Sequence, residues 1–312
     1  GPLITLASHL SDDPLEVATT SGVWKPRNFD RKFHGVVPVR QALEKSFNVA
    51  AARLGQEVGP RRIAEVARRL GVESPLSLVP SLAIGAADVA PIEMARAYAT
   101  IANRGLRPEI RTFEDVVNPR GGTVERQEIR FQRVLDEGTA FLATSLMQGV
   151  VDRGTARRLR SAGLTGPIAG KTGTSDEERD SWFVGFTPEL AVAVWVGFDQ
   201  PRSLTLSSST VAVPIWARFV AEATGGTIRG RFVPPGDVTR LDVHPETGAV
   251  AMAGCPVHRE EYFLRGTEPT RTCPEWGLRP RRHAGDGRDG ERAGERSPGL
   301  IKRLFEQWLE RL

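Results

Sequence analysis

The 312-residue sequence predicts an α+β fold built on a mostly antiparallel sheet, and the order of its hydrophobic patterns predicts it. Helical spacing fills residues 38–105, a β-type run occupies 163–199, and helical spacing returns at 213–226. Helices, then strands, then a closing helix is the order of an α+β domain, not of an alternating βα chain. Composition agrees: 40% hydrophobic and 26% charged residues exclude wholesale disorder. The net charge of +4 is too mild to make nucleic-acid binding the default reading. The longest uncharged run, residues 203–217, is 15 residues with six Ser or Thr, whereas a membrane helix needs ~20 mostly apolar residues.

Residues 1–35 are rich in turn formers and read as extended segments and loops; they lack the basic leader of a secretory signal. From Pro38, apolar positions Val39, Leu43 and Phe47, then Val49, Ala52 and Leu54, predict two short helices joined near Ser46. Two further helices open on Pro60 and Pro91 and stop at Gly71 and Gly105, the usual asymmetry of helix ends. Residues 110–131 read as a hairpin around an NPRGG turn, and 136–154 as a helix. TGPIAGKTGTS, SWFVGFTP and LAVAVWVGFD read as adjacent antiparallel strands, followed by the helix VPIWARFVAEATGG. The expected organisation is a domain over 1–230, a small β appendage over 231–278, a disordered linker over 279–296 and an amphipathic helix over 297–312.

The densest chemical signal is Gly170-Lys171-Thr172-Gly173-Thr174-Ser175. A phosphate loop would need Gly at 165, where Thr165 stands, and a helix after the lysine, where a β-type run follows. The alternative is the KTG strand of penicillin-recognising serine enzymes, which works with an S-x-N turn and an S-x-x-K nucleophile. Lysine is scarce, five against 37 arginines, and a KTG triplet is expected roughly 0.04 times by chance in this composition. Ser46-Phe47-Asn48, at the predicted helix break, supplies an S-x-N; by itself it also reads as a plain helix cap.

With these triplets the chain resembles the transpeptidase domain of class A penicillin-binding proteins. GVWKPRNFDRKFHGVVPVRQALEKSFNVAAARLGQEVG, SLAIGAADVAPIEMARAYATIANRG, GVVDRGTARRL, AGKTGTSDEERDSWFVGFTPELAVAVWVGFD and EYFLRGTEPTRTC are similar to family landmarks in family order, over roughly residues 12–275. The resemblance implies a β-lactamase/transpeptidase-like fold, an antiparallel sheet flanked by helices. It also implies an extracytoplasmic enzyme, membrane-anchored in its full-length form, that cross-links peptidoglycan stem peptides ending in D-Ala-D-Ala. β-Lactam antibiotics would be its second class of ligand.

In that reading Lys171 supplies positive charge to the substrate carboxylate and to Ser46. Thr172 and Thr174 offer hydroxyls to the same carboxylate, and Gly173 lets an extended peptide lie against the strand. The Thr174 backbone N–H forms half of the oxyanion hole by family analogy. Ser46 relays a proton, and Asn48 hydrogen-bonds the substrate backbone. The positions three before the five lysines are Gly22, Phe29, Ala42, Ile168 and Gly299, so no S-x-x-K occurs and no nucleophile lies in residues 1–312. The chain is therefore expected to be a C-terminal piece, inactive alone, of a protein that also carries a glycosyltransferase domain. A non-catalytic peptide- or partner-binding domain is the alternative, as is a D,D-carboxypeptidase or β-lactamase-like hydrolase.

Trp182 is expected in the core by its alternation with Val184 and Phe186. Cys255 and Cys273 read either as a disulfide of an oxidising compartment or as two buried thiols. The five histidines show no ligand spacing, so neither metal nor cofactor is expected.

Overall fold

The computed structural model describes residues 4–20, 22–175, 178–200, 202–204 and 207–273. The expected linker at 279–296, the amphipathic helix at 297–312 and the end of the appendage lie outside the described residues. Strand β1 (His9–Ser11) is followed by the hairpin β2 (Val17–Thr19) and β3 (Gly22–Trp24); β4 (Val36–Pro38) then returns to pair with β1. The helical region holds α1 (Val39–Lys45), α2 (Asn48–Val58), α3 (Pro60–Leu70), a 3-10 turn at Pro80–Ile84 and α4 (Pro91–Ala102). Pro60 and Pro91 open their helices, and Gly71 closes α3 at φ 107°, where a side chain would be strained.

A hairpin formed by β5 (Leu106–Pro108), β6 (Asp115–Val117), β7 (Thr123–Arg126) and β8 (Phe131–Arg133) follows, β5 pairing with β8 and β6 with β7. Its ladder thus reaches beyond the 110–131 read from sequence. Helix α5 (Glu137–Asp152) starts on Asp136, whose carboxylate accepts the Thr139 N–H at 2.7 Å. After the single turn α6 (Arg158–Ser161) comes the sheet of β9 (Ala169–Thr174), β10 (Ser181–Phe186) and β11 (Ala191–Val196), ordered β11-β10-β9 and antiparallel throughout. Helix α7 (Ala212–Ala223) covers one face.

Alternation along the strands sends side chains to two apolar layers. Phe183 packs edge-on against Trp216 of α7, ring centroids 5.2 Å apart, within a buried cluster that includes Val150, Leu159, Ile168 and Val220. Truncating an aromatic in such a cluster costs ~3–5 kcal/mol. On the other face Ala169 and Phe186 pack with Met147 of α5 and Tyr98 of α4. Helices lie on both faces, and β9, one of the sheet's two edge strands among the described residues, carries the KTG triplet.

Strands β12 (Val238–Val243), β13 (Val250–Ala251), β14 (Arg259–Leu264) and β15 (Thr272–Cys273) form a four-stranded sheet in the expected appendage. Cys255 and Cys273 form a disulfide, which decides between the two readings of the cysteine pair. This sheet is packed onto the body: Val243 and Phe263 share a buried cluster with Ala7, and Tyr262 meets Phe141 of α5 edge-on at 5.0 Å. Among the described residues no helix is long and apolar enough to cross a membrane.

Candidate active site

The bend between α1 and α2 is a closed left-handed turn. Ser46 has φ 58° and ψ 48°, while its N–H and that of Phe47 return to the Leu43 and Ala42 carbonyls at 3.1 and 2.8 Å. A non-glycine residue held there is strained by ~1–3 kcal/mol and persists only where its surroundings over-determine it. The surroundings come from far along the chain. Asn28 Oδ1 accepts the Val49 N–H at 3.1 Å and Asp12 Oδ1 accepts the Ala50 N–H at 3.0 Å, so residues outside α2 cap it. Buried Asp12 also receives Asn28 Nδ2 at 2.6 Å and the His34 N–H at 3.0 Å. The His34 ring lies flat on Phe47, centroids 3.9 Å apart, with Nδ1 2.8 Å from Asp12 and Nε2 3.1 Å from Asp30.

Strand β9 faces this bend. Lys171 Nζ donates to Ser46 Oγ at 2.8 Å and to the Thr172 carbonyl at 3.0 Å, joining residues 125 apart in sequence. Burial strips water from the ammonium and pulls its pKa from 10.5 down to about 8. The Thr172 and Thr155 hydroxyls share a hydrogen bond of 2.7 Å. Thr174 Oγ1 bonds Ser208 Oγ, which donates to the Gly173 carbonyl. Asn48 Nδ2 donates to the Arg27 carbonyl at 3.1 Å. The two sequence triplets therefore meet across one cleft, Lys171 bridging them directly.

Trp182 departs from its expected place in the core. It lies directly opposite Gly173, which has no side chain to cover it, and stays partly exposed, tilted against Trp195 with centroids 6.3 Å apart. Trp195 Nε1 in turn donates to Asp180 at 2.9 Å. Asp12, Asn28, His34, Thr155 and Ser208 belong to the site and were not singled out by sequence. Asn28, His34 and Thr155 lay within quoted segments without being picked out, whereas Asp12 and Ser208 lay outside them.

The arrangement suits recognition of a carboxylate-terminated extended chain. A cation and hydroxyls line an edge strand whose other side carries no paired neighbour among the described residues, the geometry used when a peptide adds to a sheet. Ser46 Oγ accepts a hydrogen bond from a lysine whose pKa burial pulls down to about 8, an arrangement suited to proton transfer.

Comparison with known proteins agrees with this geometry. Residues 3–221 match the penicillin binding protein transpeptidase domain, and residues 234–277 the penicillin-binding protein 1A C-terminal domain. Penicillin-binding protein 2D of Bacillus subtilis is 32% identical over 95% of this chain and 43% of its own length. The crystal structure of Haemophilus influenzae penicillin-binding protein 1A superposes with a TM-score of 0.79 at 27% identity, over 86% of this chain and 46% of that one. A ceftriaxone acyl-enzyme complex of penicillin-binding protein A from Mycobacterium tuberculosis gives a TM-score of 0.59 at 25% identity, over 70% of this chain and 56% of that one. The chain thus spans less than half the length of the first two. A cleft of these residues on a β-lactamase-like fold, matched along most of its length, makes the chain a member of the penicillin-binding protein transpeptidase family, with the C-terminal domain of penicillin-binding protein 1A attached.

Proposed function

We propose that this cleft is the carboxylate-binding and proton-relay half of a peptidoglycan D,D-transpeptidase site. The observation that carries the reading is the 2.8 Å contact of Lys171 Nζ with Ser46 Oγ. The donor stem peptide lies along β9 with its terminal D-Ala carboxylate on Lys171 and the Thr172 and Thr174 hydroxyls. A nucleophilic serine adds to the penultimate D-Ala carbonyl, and the oxyanion rests on two N–H groups, one of them from Thr174. The serine proton passes through its lysine and Ser46 to the departing D-Ala nitrogen, leaving an acyl-enzyme. An acceptor amine then attacks the ester carbonyl, its proton travels the same relay in reverse, and the serine hydroxyl is restored. Asn48 holds the donor backbone. β-Lactams enter by the same route, their carboxylate taking the D-Ala position.

Neither the nucleophile nor its lysine is among residues 1–312, because no lysine has Ser three places before it. We place both, with the glycosyltransferase domain and membrane anchor, in other parts of the same protein, outside the cytoplasm. The Cys255–Cys273 disulfide supports an oxidising compartment. The decisive experiment compares residues 1–312 alone with the same chain joined to its serine–lysine segment, both exposed to fluorescent penicillin. Covalent label on the longer chain alone, lost on Lys171→Met, is the expected result. A longer chain that takes no label favours the binding-domain alternative; rapid release of the label by water favours a hydrolase.

A further inference from the structure

The C-terminal β unit reaches the reactive bend through buried charge. Glu261 on β14 is 0% exposed and grips Arg40 of α1 with both oxygens, Arg40 Nε lying 2.6 Å from Oε2 and Nη2 on Oε1. The remaining Arg40 donors go to α5, to the carbonyl and hydroxyl of Ser145, each at 2.9 Å. Arg40 Nη1 also stands 3.6 Å from Oε1 of Glu44, one turn along α1 and 4% exposed. Arg153 holds the Glu44 carboxylate at 2.6 and 3.2 Å, while Lys45 Nζ donates to the Arg153 carbonyl at 2.8 Å. The Thr155 N–H reaches the Glu44 carbonyl at 3.1 Å.

Two glycines of the GVVDRG run make room for this relay. A Cβ on Gly149 would fall 2.0 Å from Glu44 Oε1, and one on Gly154 would fall 2.1 Å from the Glu44 carbonyl oxygen. The lower-cost way to stabilise such an interior is apolar packing, since burying ions gives up hydration that pairing only partly returns. What the cluster supplies is register. Helix α1 has seven residues, too few to hold its own geometry, and Ser46 follows its last residue in a strained conformation.

We propose that Glu261 is a positioning residue for Ser46, acting through Arg40 and Glu44, so that the C-terminal β unit is a working part of the relay. The inference deepens the transpeptidase reading and rests on it for its catalytic consequence. Its first test needs no nucleophile. The chain has five lysines, so 13Cε-lysine labelling gives five signals, and the one lost in Lys171→Met belongs to Lys171. In Glu261→Gln the titration midpoint of that signal moves by about half a unit or more, the size of one hydrogen bond to Ser46. In the Cys255→Ser/Cys273→Ser pair, which weakens the same unit without touching the relay, the midpoint stays. An unmoved midpoint in a folded Glu261→Gln overturns the proposal.

The second test uses the chain joined to its serine–lysine segment. Acylation by penicillin slows about tenfold in Glu261→Gln, as small misplacements of reacting groups do, and stays within twofold in the cysteine pair. A parent that acylates while Glu261→Gln matches it overturns the proposal alone. A parent that never acylates overturns the transpeptidase reading, and the lysine titration still decides whether Glu261 positions Ser46. Should Glu261→Gln fail to fold, Arg40→Met/Glu261→Met takes its place, because it removes both charges of the Arg40–Glu261 pair and leaves Glu44 with Arg153, while Arg259 gives up only its 3.5 Å contact with Glu261. Retention of the parent's midpoint and rate in that variant also overturns the proposal.

Discussion

The two walls of the cleft are built by different means. On the strand wall, Lys171, Thr172, Gly173 and Thr174 are placed by the β9–β10 ladder, Thr172 opposite Phe183 and Gly173 opposite Trp182, above a core sealed by Trp216. Position there is a matter of register, which the alternation of the strands dictates. On the bend wall, Ser46 sits in a conformation its own residue type disfavours, held by Asp12, Asn28 and His34 on one side and by Arg153 and Thr155 on the other. One wall carries its chemistry in adjacent letters; the other borrows its geometry from across the chain. Substitutions on the two walls should therefore fail differently, chemistry without stability on the strand and both together at the bend.

The largest effect is expected on the strand wall. Lys171→Met in the chain joined to its nucleophile segment should lower the rate of penicillin acylation more than about 100-fold, the loss of a charge-assisted contact plus the relay partner of Ser46. Its melting temperature should not fall, because the ammonium is held against a desolvation cost with no carboxylate among the described residues in hydrogen-bonding reach. A rate loss below tenfold, or a melting temperature that falls with it, would place Lys171 among structural rather than chemical residues.

At the bend the order reverses. Asp12→Ala leaves Asn28, the two His34 donors and the Ala50 N–H without their buried acceptor. That should cost ~3 kcal/mol of stability, read as a melting temperature lower by about 6–12 °C for a domain of this size. Asn48 on α2 should lose its place at the same time, so ligand binding weakens along with stability. Binding that survives the full drop in melting temperature would show that the bend does not depend on its distant caps.

Proton titration separates the walls further. The folded-state pKa of Lys171, about 8, lies below the 10.5 of an unburied lysine, so the unfolded chain binds the extra proton between those values. Stability should rise with pH across that window, and the rise should vanish in Lys171→Met. On the proposed function, affinity for a D-Ala-terminated peptide should run the other way, since a carboxylate selects the charged ammonium. Isothermal titration should find it falling about tenfold between pH 7 and pH 9. A flat profile would mean that some other cation anchors the carboxylate.

The same contrast explains what was legible in the sequence. The three sheet strands carry period-2 patterns and α3, α4, α5 and α7 period-3.6 patterns, with Pro opening α3 and α4 and Asp136 capping α5, so local physics sufficed. Lys171, Thr172 and Thr174 announce themselves because a strand keeps neighbours together. The helix break at Ser46 was also readable, but not its cause: Asp12 and Asn28 act on α2 from 38 and 21 residues away, and a lone Asp among turn formers carries no such signal. Trp182 was misplaced because alternation assigns a side chain to a face without saying whether that face is covered. The small β appendage over 231–278 was legible from its strand-type runs, but its attachment to the body was not, because it runs through single buried charges such as Glu261 that no pattern registers.

The smallest effect belongs to a direct contact between a support of the bend and the strand, the hydrogen bond of Thr155 with Thr172. Each hydroxyl has a single proton, so one threonine must accept. Thr172 can offer its proton to a substrate carboxylate only if Thr155 donates to Thr172. Thr155→Val keeps the shape and removes the donor, freeing Thr172 to turn toward other acceptors such as nearby carbonyls. The cost should be ~1 kcal/mol, a loss of about fivefold in affinity for a D-Ala-terminated peptide, with the lysine titration midpoint unchanged. Tighter binding in Thr155→Val would reverse the assignment, since Thr172 would then have been donating to Thr155 in the parent and would gain a free proton. Either sign fixes the direction of the hydrogen bond, and only the first is compatible with Thr172 serving the carboxylate while the bend is held.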